Sequence, residues 1–377
     1  MSKSNETTPN VPTLRFPNYS GEWQVSSMGK VCTFRKGYGI SKENLSSDGT
    51  PCVLYGELYT TYKTAIAKRI KSKTSLDPTT LFHSKKNDVI IPCSGETAED
   101  IATSVCIPYD DILLGGDLTV IRSDLDGAFL SNQINSVRKY DIARIAQGKS
   151  IVHLQADELK KISIAYPTID EQQKISGFID KIDERIEVQN KIISDLKVLK
   201  KELCRKMLSS IAEYKPLGEL CSITTGKLDA NANNQNGLYP FFTCGKDTLS
   251  IDNYAFDGEA ILIAGNGDIG HTKYYYGKFN AYQRTYVLMG FKADAQFVKM
   301  GIDTYLPQKI SEETQGGAMP YIKLSTLTSL KIPFTTEEKQ LSIRNHYDTI
   351  AQKVENETKM LDLLLQQKSY FLNAMFI

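Results

Sequence analysis

One long helical pattern occurs twice in this chain, and this duplication constrains the fold more than any other feature. The segment "EQQKISGFIDKIDERI", which begins at Glu171, aligns without a gap with "KQLSIRNHYDTIAQKV", which begins at Lys339, at an offset of 339 − 171 = 168 residues. A spacing held over so many positions indicates an internal duplication. The same offset relates Gln147 to Gln315, Gly148 to Gly316, Leu159 to Leu327, Ile164 to Ile332 and Met207 to Met375.

A second match lies upstream of each helix. The segment "MGKVCTFRKG", from Met28, resembles "LGELCSITTG", from Leu217, at an offset of 217 − 28 = 189 residues. The two offsets differ by 189 − 168 = 21, so the halves share their beginnings and ends while the first interior is 21 residues longer. The predicted order is therefore domain, helix, domain, helix. Shared frames around dissimilar interiors suggest one task performed on two targets.

Each helix carries an apolar seam with alternating steps of four and three residues, which is heptad spacing. Two matched seams in one chain predict an intramolecular coiled coil, and we expect it to be antiparallel. One polar residue interrupts each seam at the same place, and we hypothesise that this pair, Gln189 and Glu357, lies near the crossing midpoint and specifies the pairing. The seams are Ile175, Ile179, Ile182, Ile186, Gln189, Ile193 and Leu196, and Ile343, Tyr347, Ile350, Val354, Glu357, Leu361 and Leu364.

The two interiors predict mixed α/β or α+β domains with short apolar strands. "NDVIIPCSGE", from Asn87, and "GEAILIAGNGD", from Gly258, each predict a buried strand that ends in a glycine turn. "FLSNQ", from Phe129, is paired with "FNAYQ", from Phe279. The segment 265–270 matches G-x-G-x-x-G, but the aromatic, β-rich sequence after it does not predict a helix. We therefore reject a dinucleotide fold and predict a turn between strands.

Several functional classes are excluded by absent patterns. No P-loop, G-x-S-x-G, H-E-x-x-H or kinase signature occurs, so catalysis by this chain alone has little support. Seven cysteines without a C-x-x-C pair and four scattered histidines predict no metal site. The polar N-terminus, and the lack of an apolar run of about 18 residues, predict a reduced, cytoplasmic protein. A net charge of +1 neither supports nor excludes nucleic acid as a ligand.

At this point the chain closely resembles the specificity subunit of Type I restriction–modification systems. "VPTLRFPNYSGEWQVSSMGKV", from Val11, looks like the opening segment of that family. The first helix carries the Pro-x-x-x-Glu-Gln-x-x-Ile signature of its central helical region. The second helix repeats the signature in weaker form, with Thr335 and Lys339 in place of the proline and the glutamate. The signature residues are Pro167, Glu171, Gln172 and Ile175, and those kept in the second copy are Gln340 and Ile343.

The resemblance implies a DNA-recognition subunit with no catalytic activity of its own. Two target-recognition domains would each read one half of a split sequence in double-stranded DNA. The helices would set the spacing and dock two copies of an adenine-methylating modification subunit, and a translocating restriction subunit would join for phage defence. S-adenosylmethionine would belong to the modification subunit, and ATP with Mg²⁺ to the restriction subunit. The implied boundaries are 1–165, 166–210, 211–333 and 334–377, which alternate recognition domain and helical spacer.

Base contacts are expected from polar side chains on domain loops, and phosphate contacts from lysine and arginine. Neither interior is strongly basic, so two other classes stay open: a non-DNA scaffold that presents two binding modules, and an enzyme whose site has no recognisable motif. A DNA shift that depends on salt and on the methyltransferase partner would favour recognition of DNA. The candidate DNA-binding residues are Lys63, Lys68, Arg69, Lys71 and Ser94 in the first domain, and Lys227, Lys246, Asn266, Lys273 and Arg284 in the second.

Overall fold

The computed structural model describes residues 10–148, 151–313 and 321–377. The chain divides into two compact units, one formed by 1–190 with 359–377 and the other by 191–358. Each unit holds one globular domain and a part of each of the two long helices. The repeat positions Gln315 and Gly316 lie outside the described residues, as does the polar segment 1–9.

The first domain consists of short strands and helices. Its strands are β1 (Gln24–Ser27), β2 (Cys32–Lys36), β3 (Leu45–Ser46), β4 (Thr50–Val53), β5 (Ser72–Thr74), β6 (Asp88–Pro92), β7 (Ser94–Gly95), β8 (Val105–Ile107), β9 (Leu113–Leu114), β10 (Leu118–Ser123), β11 (Val152–His153) and β12 (Ser163–Tyr166). Its helices are α1 (Met28–Val31), α2 (Glu57–Thr60), α3 (Ala98–Ile101), α4 (Gly127–Asn135), α5 (Lys139–Ile145) and α6 (Ala156–Leu159).

The centre of this domain is an antiparallel sheet of order β2-β10-β6-β8. All five residues of β6 are buried, because alternate side chains enter two different cores. Val89 and Ile91 belong to the core that contains Leu130 of α4. Ile90 belongs to the core that contains Leu58 of α2. The apolar run that predicted a buried strand is thus the middle of a sheet covered on both faces.

The second domain follows the first long helix, α7 (Ile169–Ser209). Its six-stranded sheet has the order β14-β19-β17-β18-β15-β16, and the turn at 265–270 joins antiparallel β17 and β18, as predicted. The elements are β13 (Tyr214–Pro216), α8 (Leu217–Leu220), β14 (Ser222–Thr225), β15 (Tyr239–Phe242), β16 (Thr248–Ile251), β17 (Phe256–Ala264), β18 (Thr272–Ala281), β19 (Thr285–Met289), α9 (Ala295–Glu313), α10 (Leu324–Thr328), β20 (Lys331–Pro333) and the second long helix α11 (Glu337–Ala374).

The long helices pack antiparallel within the first unit. The rings of Phe178 and Phe371 lie 4.9 Å apart between centroids, and Lys368 Nζ lies 2.5 Å from Asp183 Oδ1. Numbers therefore rise along α7 while they fall along α11. Burial raises the pKa of the Asp183 carboxyl, and the charge of Lys368 opposes that rise. The ion pair thus holds a charge inside a largely apolar seam.

The second unit shows the same antiparallel packing. Lys200 Nζ lies 4.5 Å from the ring centroid of Tyr347, and Leu208, further along α7, shares a core with Ile343, which comes earlier in α11. The sequence-predicted seam residues are buried or half-buried in both helices. The predicted antiparallel coiled coil is therefore confirmed, with its residues in the predicted faces.

A glutamine joins the start of each long helix to its own domain. The amide N–H of Asp126 donates to Gln172 Oε1 at 2.9 Å, and that of Asp294 donates to Gln340 Oε1 at 2.9 Å. Each glutamine Nε2 also donates to a main-chain carbonyl just before its helix, at 2.8 Å and 2.7 Å. The glutamine side chains are almost fully buried. One hydrogen-bond network is therefore built twice.

The repeat extends further back than the sequence comparison reached. Asp126 caps α4 by accepting from the amide of Phe129 at 2.8 Å, and Asp294 caps α9 by accepting from Phe297 at 2.8 Å. Phe129 therefore corresponds to Phe297, at the offset of 168. Its sequence pairing with Phe279 is wrong, because Phe279 lies on β18 while Phe129 lies on a helix.

The two sequence offsets meet in one pair of strands. In the first unit β1 pairs with β12, with Ser26 opposite Ile164. In the second unit β13 pairs with β20, with Lys215 opposite Ile332. The first member of each pair follows the offset of 189 and the second follows the offset of 168. These strand pairs therefore close each domain at its junction with a long helix.

We expect Gln172→Leu and Gln340→Leu each to lower the free energy of unfolding. Each change leaves a helix-cap N–H without its acceptor, at a cost of about 1–3 kcal/mol. Chemical denaturation measures the loss, and Gln173→Leu at the neighbouring exposed position is the matched control. Equal stabilities for Gln172→Leu and the control would contradict this role.

The polar interruptions of the seam generate a second prediction. Gln189 is 8% exposed, and the carboxylate of Glu357 lies 3.6 Å from Lys353 Nζ. Replacing both Gln189 and Glu357 by leucine should stabilise the helices but allow more than one register, since an apolar seam slides more easily. Cysteine cross-linking between the helices reads the register, with Glu187→Leu/Glu355→Leu as exposed controls. A single, unchanged register would refute the hypothesis.

Candidate functional site

The second domain has an open cleft of about 550 Å³ at the ends of its central strands. The amide of Ile322 donates to the carbonyl of Gly265 at 2.9 Å, and the amide of Gly265 donates to the carbonyl of Arg284 at 3.0 Å. These bonds fix three separate chain segments against each other. We call this site cleft 2, and its lining residues are Thr225, Gly265, Gln283, Arg284, Tyr286, Tyr321, Ile322, Lys323 and Leu324.

The first domain has a matching cleft of about 540 Å³. Here the amide of Leu154 donates to the carbonyl of Cys93 at 2.9 Å, and the amide of Cys93 donates to the carbonyl of Asp117 at 2.7 Å. The same two bonds therefore build both sites. We call this site cleft 1, and its lining residues are Phe34, Arg35, Lys36, Cys93, Ser94, Asp117, Thr119, His153, Leu154, Gln155, Ala156 and Lys160.

Equivalent positions in the two clefts carry different polar side chains. The backbone bonds align Asp117 with Arg284, which places a carboxylate in one cleft where the other has a guanidinium. The offset of 168 aligns His153 with Tyr321 and Gln155 with Lys323. A common scaffold thus presents different hydrogen-bonding groups in the two domains.

The structure gathers the predicted residues of the second domain around cleft 2. Arg284 lines the cleft, and Asn266 follows Gly265 in the turn between β17 and β18. The loop of Lys227 is joined to the Arg284 turn by a bond from the Gln283 amide to the Leu228 carbonyl, at 2.8 Å. The sequence predicted these residues individually, and the fold places their loops together.

Lys246 and Lys273 lie on an adjoining part of this rim. The loop that carries Lys246 contacts the 265–270 turn, because the Asp268 amide donates to the carbonyl of Cys244 at 3.2 Å. Lys273 Nζ donates to the carbonyl of Asp247 at 3.1 Å. Partial burial lowers the pKa of Lys273, and the charge of Asp247 opposes this effect. The rim is therefore basic and partly ordered by its own side chains.

The predicted residues of the first domain are not brought together. Ser94 lines cleft 1, and its Oγ lies 3.2 Å from His153 Nδ1. Arg69 and Lys71 are exposed on a different loop, and Lys63 Nζ on that loop donates to a main-chain carbonyl at 3.0 Å. Only Ser94 of this group faces the site that matches cleft 2, while the DNA-contact role of all ten residues stays a prediction.

Lys68 has a different environment from the one expected for a free phosphate contact. Its Nζ lies 2.6 Å from Asp180 Oδ1 and 2.7 Å from Glu184 Oε1, both on α7. Burial lowers the pKa of Lys68, but the hydrogen bonds to the two carboxylates outweigh it and raise the pKa overall. Lys68 therefore ties the loop of the first domain to the long helix.

Sequence reasoning missed most of the side chains that distinguish the clefts. Asp117 was overlooked because it follows two glycines in a turn, where its positive φ of 57° gives no functional signal. His153, Gln155, Tyr321 and Lys323 lie inside the repeated region, so the offset of 168 pairs them directly. Their signal is divergence at matched positions within an otherwise shared frame.

The described residues contain no group of three or more metal-ligating side chains. No helix in that part of the chain is long and apolar enough to cross a membrane. All seven cysteines are free, and all except the partly exposed Cys93 are buried. The clefts thus offer hydrogen-bond donors and acceptors of both charges on an accessible surface, which suits a polar ligand.

The repeated domains and the paired helices define a family. The chain matches the family model of the Type I restriction modification DNA specificity domain over residues 20–198 and 211–366. Because the match covers most of both halves, the chain belongs to this family. The family assigns a specificity role, in agreement with the non-catalytic function expected from the sequence.

Individual relatives carry the same description. The specificity subunit of the Type I restriction enzyme EcoDI from Escherichia coli is 39% identical over 158 residues, which is 42% of this chain and 35% of that protein. The MjaVIII specificity subunit from Methanocaldococcus jannaschii is 22% identical over 417 aligned residues, covering 96% of this chain and 93% of that protein. This chain thus spans about a third of the first relative and nearly all of the second.

A solved structure shares the fold. The crystal structure of the S subunit of a Type I restriction–modification system from M. genitalium has a TM-score of 0.63 and 19% identity. The comparison covers 97% of this chain and 99% of that one. The resemblance expected from the repeated helices therefore extends to the architecture of the whole chain.

Proposed function

We propose that this chain is the DNA-recognition subunit of a Type I restriction–modification complex, in which each domain reads one half of a split target in double-stranded DNA. The observation that carries the proposal is the pair of matched clefts. They share a backbone scaffold and a volume, yet they differ in charge at equivalent positions. A molecule that reads two different half-sites needs this combination of common geometry and different side chains.

The outer faces of the long helices supply a docking surface for the modification subunits. In the first unit Leu363 and Tyr370 of α11 are 59% and 62% exposed, and in the second unit Val198 and Leu199 of α7 are 61% and 48% exposed. These side chains point away from the seam that the helices share. Apolar residues left in water on both units suit two copies of one partner.

The chemistry of the complex belongs to the partners. The modification subunit would bind S-adenosylmethionine and methylate adenine, and the restriction subunit would use ATP with Mg²⁺ for translocation. The clefts of this chain hold no metal-ligating group among the described residues, and their role is to select the sequence on which those partners act. We place the complex in the cytoplasm, where its DNA substrate lies.

Deletion of the gene should remove one class of methylated sites from the cell. Genome-wide methylation mapping should show a motif with two specified parts and an unspecified spacer in the parent strain, and its loss in the deletion strain. Complementation with the intact gene is the control. An unchanged methylome would contradict the proposal, and so would a partner-dependent function without any DNA shift, which would favour the non-DNA scaffold.

The docking surface gives a separate prediction. Leu199→Gln and Leu363→Gln should each reduce co-purification of the modification subunit, because each removes exposed apolar area from one unit. Helix content by circular dichroism should stay unchanged, since glutamine is a good helix former. Lys201→Gln on an exposed position of α7 is the matched control. Full recovery of both partner copies with the double variant would contradict docking at these residues.

A further inference from the structure

We propose that cleft 1 and cleft 2 are the base-reading sites of the two half-targets, with Asp117 accepting a hydrogen bond from N4 of a cytosine and Arg284 donating to O6 and N7 of a guanine. This inference rests on the proposed function and assigns its specificity to particular atoms. Arginine reads guanine through two hydrogen bonds in the major groove, and a carboxylate accepts from the amino group of cytosine.

Both side chains are available for a ligand. Neither Asp117 nor Arg284 makes a side-chain hydrogen bond or ion pair within residues 10–148, 151–313 and 321–377. Arg284 is exposed at the tip of the turn between β18 and β19, and Asp117 lies half-exposed just before β10. Their main chains, by contrast, are fixed by bonds of 3.0 Å and 2.7 Å to Gly265 and Cys93. The base-reading group is thus free on a positioned backbone.

The carboxylate separates base reading from simple phosphate binding. A site that only neutralised the DNA backbone would carry cations in both clefts, because a carboxylate repels phosphate. Cleft 1 places Asp117 among the cations of Arg35, Lys36 and Lys160. Such a rim with an acceptor inside it fits a base edge whose flanking phosphates meet the lysines and the arginine.

The test uses the assembled complex with its modification subunit and S-adenosylmethionine, acting on a library of DNA targets. Asp117→Asn preserves the shape and tolerates the positive φ at this position, and Arg284→Gln removes the charge. Each variant should slow methylation of the wild-type target by about 10- to 100-fold and relax one base position. The two relaxed positions should lie in different halves of the motif.

Three controls make the outcome specific. Asp111→Asn changes the same residue type at another positive φ, of 61°, outside cleft 1, and Lys292→Gln removes an exposed cation outside cleft 2. Both should retain the wild-type motif and rate. Arg284→Lys keeps the charge but loses the two-pronged geometry, so it should also relax the base position, whereas a phosphate contact would tolerate it.

The possible failures are distinguishable. Unchanged base preference in Asp117→Asn and Arg284→Gln overturns the assignment, as does a uniform loss across all targets with a smaller salt slope, which indicates phosphate contact only. Thermal unfolding of each complex identifies a variant that has merely lost stability, and Arg284→Lys then supplies the decision. A wild-type complex that methylates no split motif overturns the proposed function itself.

Discussion

The hydrogen bond from a helix-cap amide to a buried glutamine is the contact on which each unit depends. Gln172 and Gln340 each link the first turn of a long helix to the cap of a domain helix. A buried amide is fully satisfied only when both partners are in place, so it fixes the angle at which the domain leaves the helix. The rest of each domain, including its cleft, is positioned from that junction.

The ends of the long helices reinforce this junction with apolar packing. In the first unit Phe376, at the end of α11, packs on Phe129 with 5.0 Å between the ring centroids. In the second unit Leu208, at the end of α7, shares a core with Phe297. The offset of 168 relates both members of these pairs. Each domain is therefore held between the start of one long helix and the end of the other.

Much of the architecture could be predicted because it depends on regular patterns. Heptad spacing identified both helices and their buried faces, and the apolar run around Ile90 identified a central strand. The clefts could not be found in this way, since they form where main-chain bonds join segments far apart in sequence, as Cys93 joins Asp117 and Leu154. The pairing of Phe129 failed because short aromatic segments look alike whether they form a helix or a strand.

The two-strand junctions have a consequence for how such a protein changes over time. Between β1 and β12 the first domain contains an additional sheet of order β3-β5-β4-β9, while the second domain spans β13 to β20 with one larger sheet. The junction strands pair in the same way in both units, so the difference in length is absorbed entirely above them. The interior is thus a cassette. A genetic crossover at the junction strands would transplant one reading head intact and leave the scaffold beneath it unaltered.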